Sequence, residues 1–142
     1  MIKHIPKFEI SAIDNNEQAY NTVGDYGETK PGHWWIKTSK FSSQIYELAL
    51  AVHEMIELVL CLKAGITDED ILAFDKAHPE DDNPGQLKDA PYHKQHMIAE
   101  QIENLIIVMC GGSLPDYWEE CDKHFNTYKN YENKEKSQQV ND

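Results

Sequence analysis

The sequence predicts an α+β chain, in which a small N-terminal antiparallel sheet or hairpin packs on three to four helices. Two observations carry this. In the first forty residues short β-compatible runs alternate with Gly and Pro. Two later stretches, 44–64 and 92–110, instead repeat apolar residues at helical spacing, and each stops at glycine, Gly65 after the first and Gly111 and Gly112 after the second. At 142 residues the chain fits one domain over 1–128 with a genuine core. The polar run "KNYENKEKSQQVND" at 129–142 is expected to be a disordered tail.

Taken in order, "FEISAI" and "AYNTVGDYG" read as strands, "YGETKPG" places Gly and Pro in turn positions, and "HWWIKTS" is aromatic and β-branched. Trp34 and Trp35 then point to opposite faces, one into the core and the other over an edge or groove. Ser42 and Ser43 offer an N-cap for a long helix over 44–64. Thr67 with Asp70 three positions on is a capping-box variant that opens a short helix through Phe74, ending before Pro79. The stretch "HPEDDNPGQLKDAP" is acidic and broken by Pro and Gly, a surface connection of the kind that forms lids. Asp89 is placed to cap a third helix over 92–110, and "SLPDYWEECDKHFNTY" makes a last amphipathic helix from near Ser113.

The 13 basic residues stand against 25 acidic ones, a formal charge of −12. That charge repels nucleic-acid phosphates and anionic membrane surfaces, so neither is expected as a partner. Cys61, Cys110 and Cys121 cannot all pair within one chain and form no CxxC, which reads as reduced thiols in a cytoplasmic protein. Cys61 and Cys110 fall in apolar helical stretches, where a free Cys acts as a small hydrophobe. The N-terminus "MIKHIPKFEI" lacks a signal-peptide pattern, and no apolar run approaches a membrane span.

Chemistry enters through two polar strips. At about 100° per residue, His53, Glu57 and Glu54 fall near 0°, 40° and 100° on the first long helix, and apolar residues fill an arc of about 200°. On the later helix, with His96 at zero, Glu100 lies near 40°, His93 near 60° and Glu103 near −20°. The apolar surfaces of the two helices favour packing them together, with the strips brought to one end of the core. Imidazole and carboxylate are ordinary zinc ligands, and three protein ligands plus an open position make a catalytic site. Spacing of i and i+4 lets His53 and Glu57 grip one ion while Glu54 acts as general base. The third ligand is expected from the later helix, His96 first, then Glu100 or His93. The strips also fit a solvated helix face or a buried polar network without metal. Against solvation, residues 44–62 contain no Lys or Arg to interleave with the acids. His4, His33, His78 and His124 are expected at the surface.

The segment "HEMIE" resembles the HExxH helix of zincin metallohydrolases, with Glu57 in place of the second His. Over residues 20–105 the order of "NTVGDYG", "HWWIKTS", "LAVHEMIELVLCLKAGI", "AFD", "EDDNPG" and "APYHKQHMIAE" is similar to a family of small uncharacterised proteins encoded by phages and prophages. The zincin resemblance, not the phage family, implies a minimal zincin-like core, His53 as first ligand and Glu54 as the base that polarises water. It also implies a peptidase-like hydrolase acting on a peptide or small molecule, with "HWWIKTS" as the sheet edge that holds an extended peptide. Glu57 as a harder ligand admits manganese, iron or magnesium beside zinc. Two other functions fit parts of the sequence. Glu54, Glu57, Glu100 and Glu103, in "EMIE" and "EQIE", resemble the paired carboxylates of MazG-like magnesium-dependent nucleotide pyrophosphohydrolases, which are all-α. The charge of −12 fits a non-catalytic acidic phage protein that occupies a basic surface on a host protein.

Overall fold

The computed structural model describes residues 4–140. Three strands, β1 (Lys7–Ile13), β2 (Gly24–Lys30) and β3 (His33–Ser39), precede four helices, α1 (Gln44–Ala64), α2 (Asp68–Ala77), α3 (His93–Met109) and α4 (Leu114–Val140). This is the α+β arrangement the sequence predicts. Short 3-10 turns lie at Asn15–Glu17 and Pro84–Gln86.

β2 and β3 form the expected hairpin, but the sheet order is β1-β3-β2 and β1 runs parallel to β3. The sheet is therefore mixed, not wholly antiparallel. The cause lies in the connection after β1. Its 3-10 turn and Gln18 are tied to the far side of the molecule, Gln18 Nε2 donating to Ser39 Oγ at 3.2 Å and Gln18 O accepting from Tyr128 OH at 3.2 Å. The chain so held enters β2 beyond β3 and cannot pair with β1. Along β3 the side chains alternate as a strand requires: Trp34, Ile36 and Thr38 are buried, while Trp35 lies on the opposite face with the Lys37 ammonium 4.7 Å from its ring centroid.

Ser43 caps α1, its Oγ accepting from Ile45 N–H at 3.2 Å, and Gly65 closes the helix at φ 74°, a backbone angle that glycine adopts without strain. Thr67 and Asp70 make both halves of the capping box of α2. That helix continues to Ala77, past the predicted end at Phe74. Asp89 does not cap α3. Tight turns in which Ala90 N–H bonds Leu87 O and His93 N–H bonds Ala90 O place Asp89 outside the first turn, and Tyr92 takes the N-cap position without a side-chain bond. α4 continues through the predicted tail to Val140. Tyr128 is buried, Lys129 Nζ pairs with Asp82 at 3.0 Å, and the Glu-, Lys- and Gln-rich sequence that follows has high helix propensity.

The main core joins Val23, Tyr46, Ala49, Leu50, Ile107, Tyr117 and Cys121 between the sheet side of α1, α3 and α4. The three cysteines are unpaired, and Cys110 is exposed at the end of α3, not packed as a small hydrophobe. Among the described residues no helix is long and apolar enough to cross a membrane. The way α1 meets α3 reverses the expectation from hydropathy. Their polar strips are buried, along with the small residues Ala49 and Ala99, while Leu48, Ile98, Leu105 and Met109 are exposed.

Candidate metal centre

α1 and α3 run antiparallel, so that His53 on α1 meets Glu103 on α3, and Glu57, one turn later, meets His96. The strip of α1 follows from its helical spacing, and the ends of α1 are fixed by the Ser43 cap and Gly65. Glu57 Oε2 is the centre of the arrangement, 3.1 Å from His53 Nε2 and 2.8 Å from His96 Nδ1. The ligand atoms of His53, Glu57 and His96 all lie within 4.8 Å of one another, and all three residues are buried. A tetrahedron with ligand bonds of about 2.0 Å has edges of roughly 3.3 Å, so the two separations from Glu57 Oε2 suit one shared cation, around which the two imidazoles would draw together from within the 4.8 Å limit. The group could hold a metal ion.

Three further observations bear on the fit. His96 Nε2 is buried without a hydrogen-bond partner among the described residues, an expensive condition for a ring nitrogen. His53 Nδ1–H donates to Glu103 Oε2 at 2.6 Å, and Tyr117 OH donates to the other oxygen, Glu103 Oε1. This fixes the imidazole with Nε2 directed to Glu57, the carboxylate–histidine arrangement that orients metal ligands. Finally, Gly85 lies against the His96 ring so closely that a Cβ there would be 2.5 Å from Cγ, and His93 Nδ1–H donates to Gly85 O at 2.9 Å. The 3-10 turn is thereby clamped on the ligand helix.

Charge balance explains the electrostatics. Burial disfavours the His53 imidazolium, yet hydrogen bonds to Glu103 and Glu57 overcome it and hold the ring well above its usual value. Burial likewise works against the Glu57 carboxylate, but hydrogen bonds from His53 and His96 hold it low, at about 2. Glu54 has no such partner and is pushed well above the carboxylate range, chiefly by burial. A proton on His53 and a divalent cation are alternative ways of balancing the same carboxylates. Glu54 is confined as well as desolvated, since a Cβ on Gly24 of β2 would fall 2.5 Å from its Oε1.

Of the residues predicted for the site, His53, Glu57 and His96 come together, and Glu54 lines the same cleft of about 820 Å³. Glu100 is buried at the cleft but outside this group, where its Oε1 accepts from Gln86 Nε2 at 2.8 Å. His93 is also outside it, committed to Gly85. Among the other histidines, His4 is exposed, and His33, His78 and His124 are half-buried and outside the group. Sequence reasoning placed Glu103 on the strip and gave it a part only among the paired carboxylates of the pyrophosphohydrolase alternative, not in the zinc site, and missed Tyr117, Gln86, Gly24 and Gly85. The angle of Glu103, about 20° from His96, was the available signal; Tyr117 had none. No family model matches the chain, and neither curated proteins nor solved structures provide a match.

Proposed function

We propose that this chain is a metal-dependent, peptidase-like hydrolase in which His53, Glu57 and His96 hold zinc and Glu54 is the general base. The observation that carries the reading is the convergence of the three ligand atoms within 4.8 Å beside a desolvated carboxyl group in one cleft. Two imidazoles and one carboxylate are a known catalytic zinc set with a fourth position for water, which favours zinc over manganese, iron or magnesium. A bound divalent ion supplies Lewis-acid polarisation of the scissile carbonyl and lowers the pKa of water. Glu54, in its carboxylate form, takes the proton of the attacking water and passes it to the leaving amine. Glu103 and Tyr117 hold His53 in the ligating tautomer throughout. We carry the likeness to the phage and prophage family into this reading on the segments quoted above.

An extended peptide needs an unpaired strand edge. "HWWIKTS" cannot supply it, because β3 is the central strand with partners on both sides. The outer edge of β2, whose first residue touches Glu54, takes that role instead. The pyrophosphohydrolase alternative leaves the imidazoles without a part, although Glu57 and Glu103 are both bound to them.

The test is elemental analysis of protein purified without an affinity metal column, on wild type and His53→Ala, with peptide hydrolysis measured in parallel on Glu54→Gln. One equivalent of zinc, lost in His53→Ala, with activity lost but metal kept in Glu54→Gln, is the expected result. Magnesium-dependent pyrophosphate release from nucleotides would replace this reading with the alternative. Absence of any metal, with unchanged function in Glu54→Gln, would leave an acidic binding protein.

A further inference from the structure

The outward side of the α1–α3 pair is as apolar as its inward side is polar. On α1, Leu48, Val52, Met55, Val59 and Leu62 follow one another at spacings of four, three, four and three. On α3, Ile98, Ile102, Leu105 and Met109 repeat four, three, four. These are the a and d positions of heptads, the pattern by which one helix inserts its side chains between those of another. Yet four of these nine side chains are exposed. Leu48 is 55% exposed, Ile98 50%, Leu105 59% and Met109 76%, with Val52, Met55, Val59, Leu62 and Ile102 half-buried between them.

The two seams lie side by side. With α1 and α3 antiparallel, the α1 seam centres about 170° from the strip that faces the cleft, and the α3 seam about the same, so both point away from it on the same side. We infer that this face is the interface of a homodimer, in which the α1–α3 pair of one copy packs on that of a second to form a four-helix layer across a two-fold axis.

Two features favour a second copy as the occupant. First, the face is compatible with itself. The chain carries 25 acids against 13 basic residues, but every acid of α1 and α3 lies off this face, and its polar neighbours are Gln44, Lys63, Lys94, Gln95 and Gln101. Two chains of charge −12 can approach here without opposing carboxylates. Second, the area is sufficient. From these fractional exposures the apolar side chains together present on the order of 600 Å², the upper end of the largest patch on a typical monomer and most of the roughly 800 Å² that each partner buries in a standard interface, with the flanking Gln and Lys stems to supply the rest.

Sedimentation equilibrium of the full chain at about 50 μM tests this, a concentration above the micromolar Kd at the weak end of the range for standard interfaces. The expected mass is twice 16.4 kDa. Leu105→Glu and Met109→Glu, both at exposed positions outside the metal group, are expected to yield monomers with an unchanged far-ultraviolet circular dichroism spectrum, the Kd rising at least ~100-fold as charge is forced into an apolar seam. A monomeric wild type would overturn the inference and leave the face to a different protein. A dimer that survives both substitutions with its Kd unchanged would overturn it too, by placing the contact elsewhere.

Discussion

Glu103→Gln isolates a residue that holds no ligand position itself and yet sets the state of His53, which does. Glu103 is 2% exposed and Tyr117 0%, so neither bond can be replaced by bulk water. With Glu103, one oxygen accepts from His53 Nδ1–H at 2.6 Å and the other from the Tyr117 hydroxyl. A glutamine has one oxygen for these two donors. If its oxygen stays on Tyr117, its amide N–H faces Nδ1, which must then accept, and the imidazole proton moves to Nε2, the nitrogen that faces Glu57. If the amide turns, the tautomer survives but Tyr117 must become an acceptor. Either way one buried, charge-assisted bond worth about 1.5–3 kcal/mol is weakened, in line with the roughly 10–100-fold loss of metal affinity seen when an outer carboxylate is removed. Competition with a chromophoric chelator measures it directly. Metal affinity equal to wild type, with the fold intact by circular dichroism, would refute the orienting role of Glu103.

Three further outcomes are expected. Chelation should lower the thermal midpoint of the wild type and leave His53→Ala unmoved; metal at about 100 times its Kd contributes about 2.7 kcal/mol to the loaded protein, read by melting with and without chelator. Gly24→Ala should retain metal while hydrolysis falls at least ~10-fold, because the new Cβ would lie 2.5 Å from Glu54 Oε1 and sub-ångström displacement of a reacting group is costly. Asp25→Asn should stabilise the protein at neutral pH. Burial raises the Asp25 carboxyl to about 6 against its ordinary 3.8, so the folded state binds the proton more tightly. The stability this supplies is complete below 3.8 and lost as pH rises through about 6, a difference of about 1–3 kcal/mol allowing for partial exposure. Asn keeps the oxygen that accepts from Tyr26 N–H at 2.9 Å and Tyr20 OH at 3.3 Å. Urea melts of both proteins at pH 4 and 7 should therefore converge at the lower pH.

How far the fold could be read from residues differs by element. The ends of α1 were legible because local chemistry sets them, Ser43 at one end and the left-handed Gly65 at the other. The β2–β3 hairpin was legible for the same reason, from Pro31 and Gly32 between two β-compatible runs. The partner of β1 was not, since it depends on Gln18 reaching Ser39 and Tyr128, contacts far away in the chain. Nor was the extension of α4, where Tyr128 finds a buried seat that composition alone does not reveal. In the site, angular projection grouped His53, Glu57, His96 and Glu103, but it also placed His93 and Glu100 among the candidates. Only the fold shows that Gly85 claims the first and Gln86 the second.

The same projection also could not say which arc of a helix points inward, and the ordinary expectation that apolar residues are buried holds for Leu50, Leu58 and Ile107 but fails for Leu48, Ile98, Leu105 and Met109. Two departures from that expectation meet here. Carboxylates and imidazoles inside the protein are stable only when their charges are matched, and the two imidazoles of His53 and His96 face four buried carboxyl groups, Glu54, Glu57, Glu100 and Glu103. A cation shared by His53, Glu57 and His96 could supply what is lacking. Apolar heptads on the outside are stable only if covered, and a second copy covers them without bringing acids together. Each face of the helix pair thus calls for a different occupant, and the two are joined by common helices: whatever fixes the outer seams also restricts the relative movement of α1 and α3, on which the distances around Glu57 depend. Ligand and partner are then linked reciprocally, each favouring the helix arrangement that suits the other.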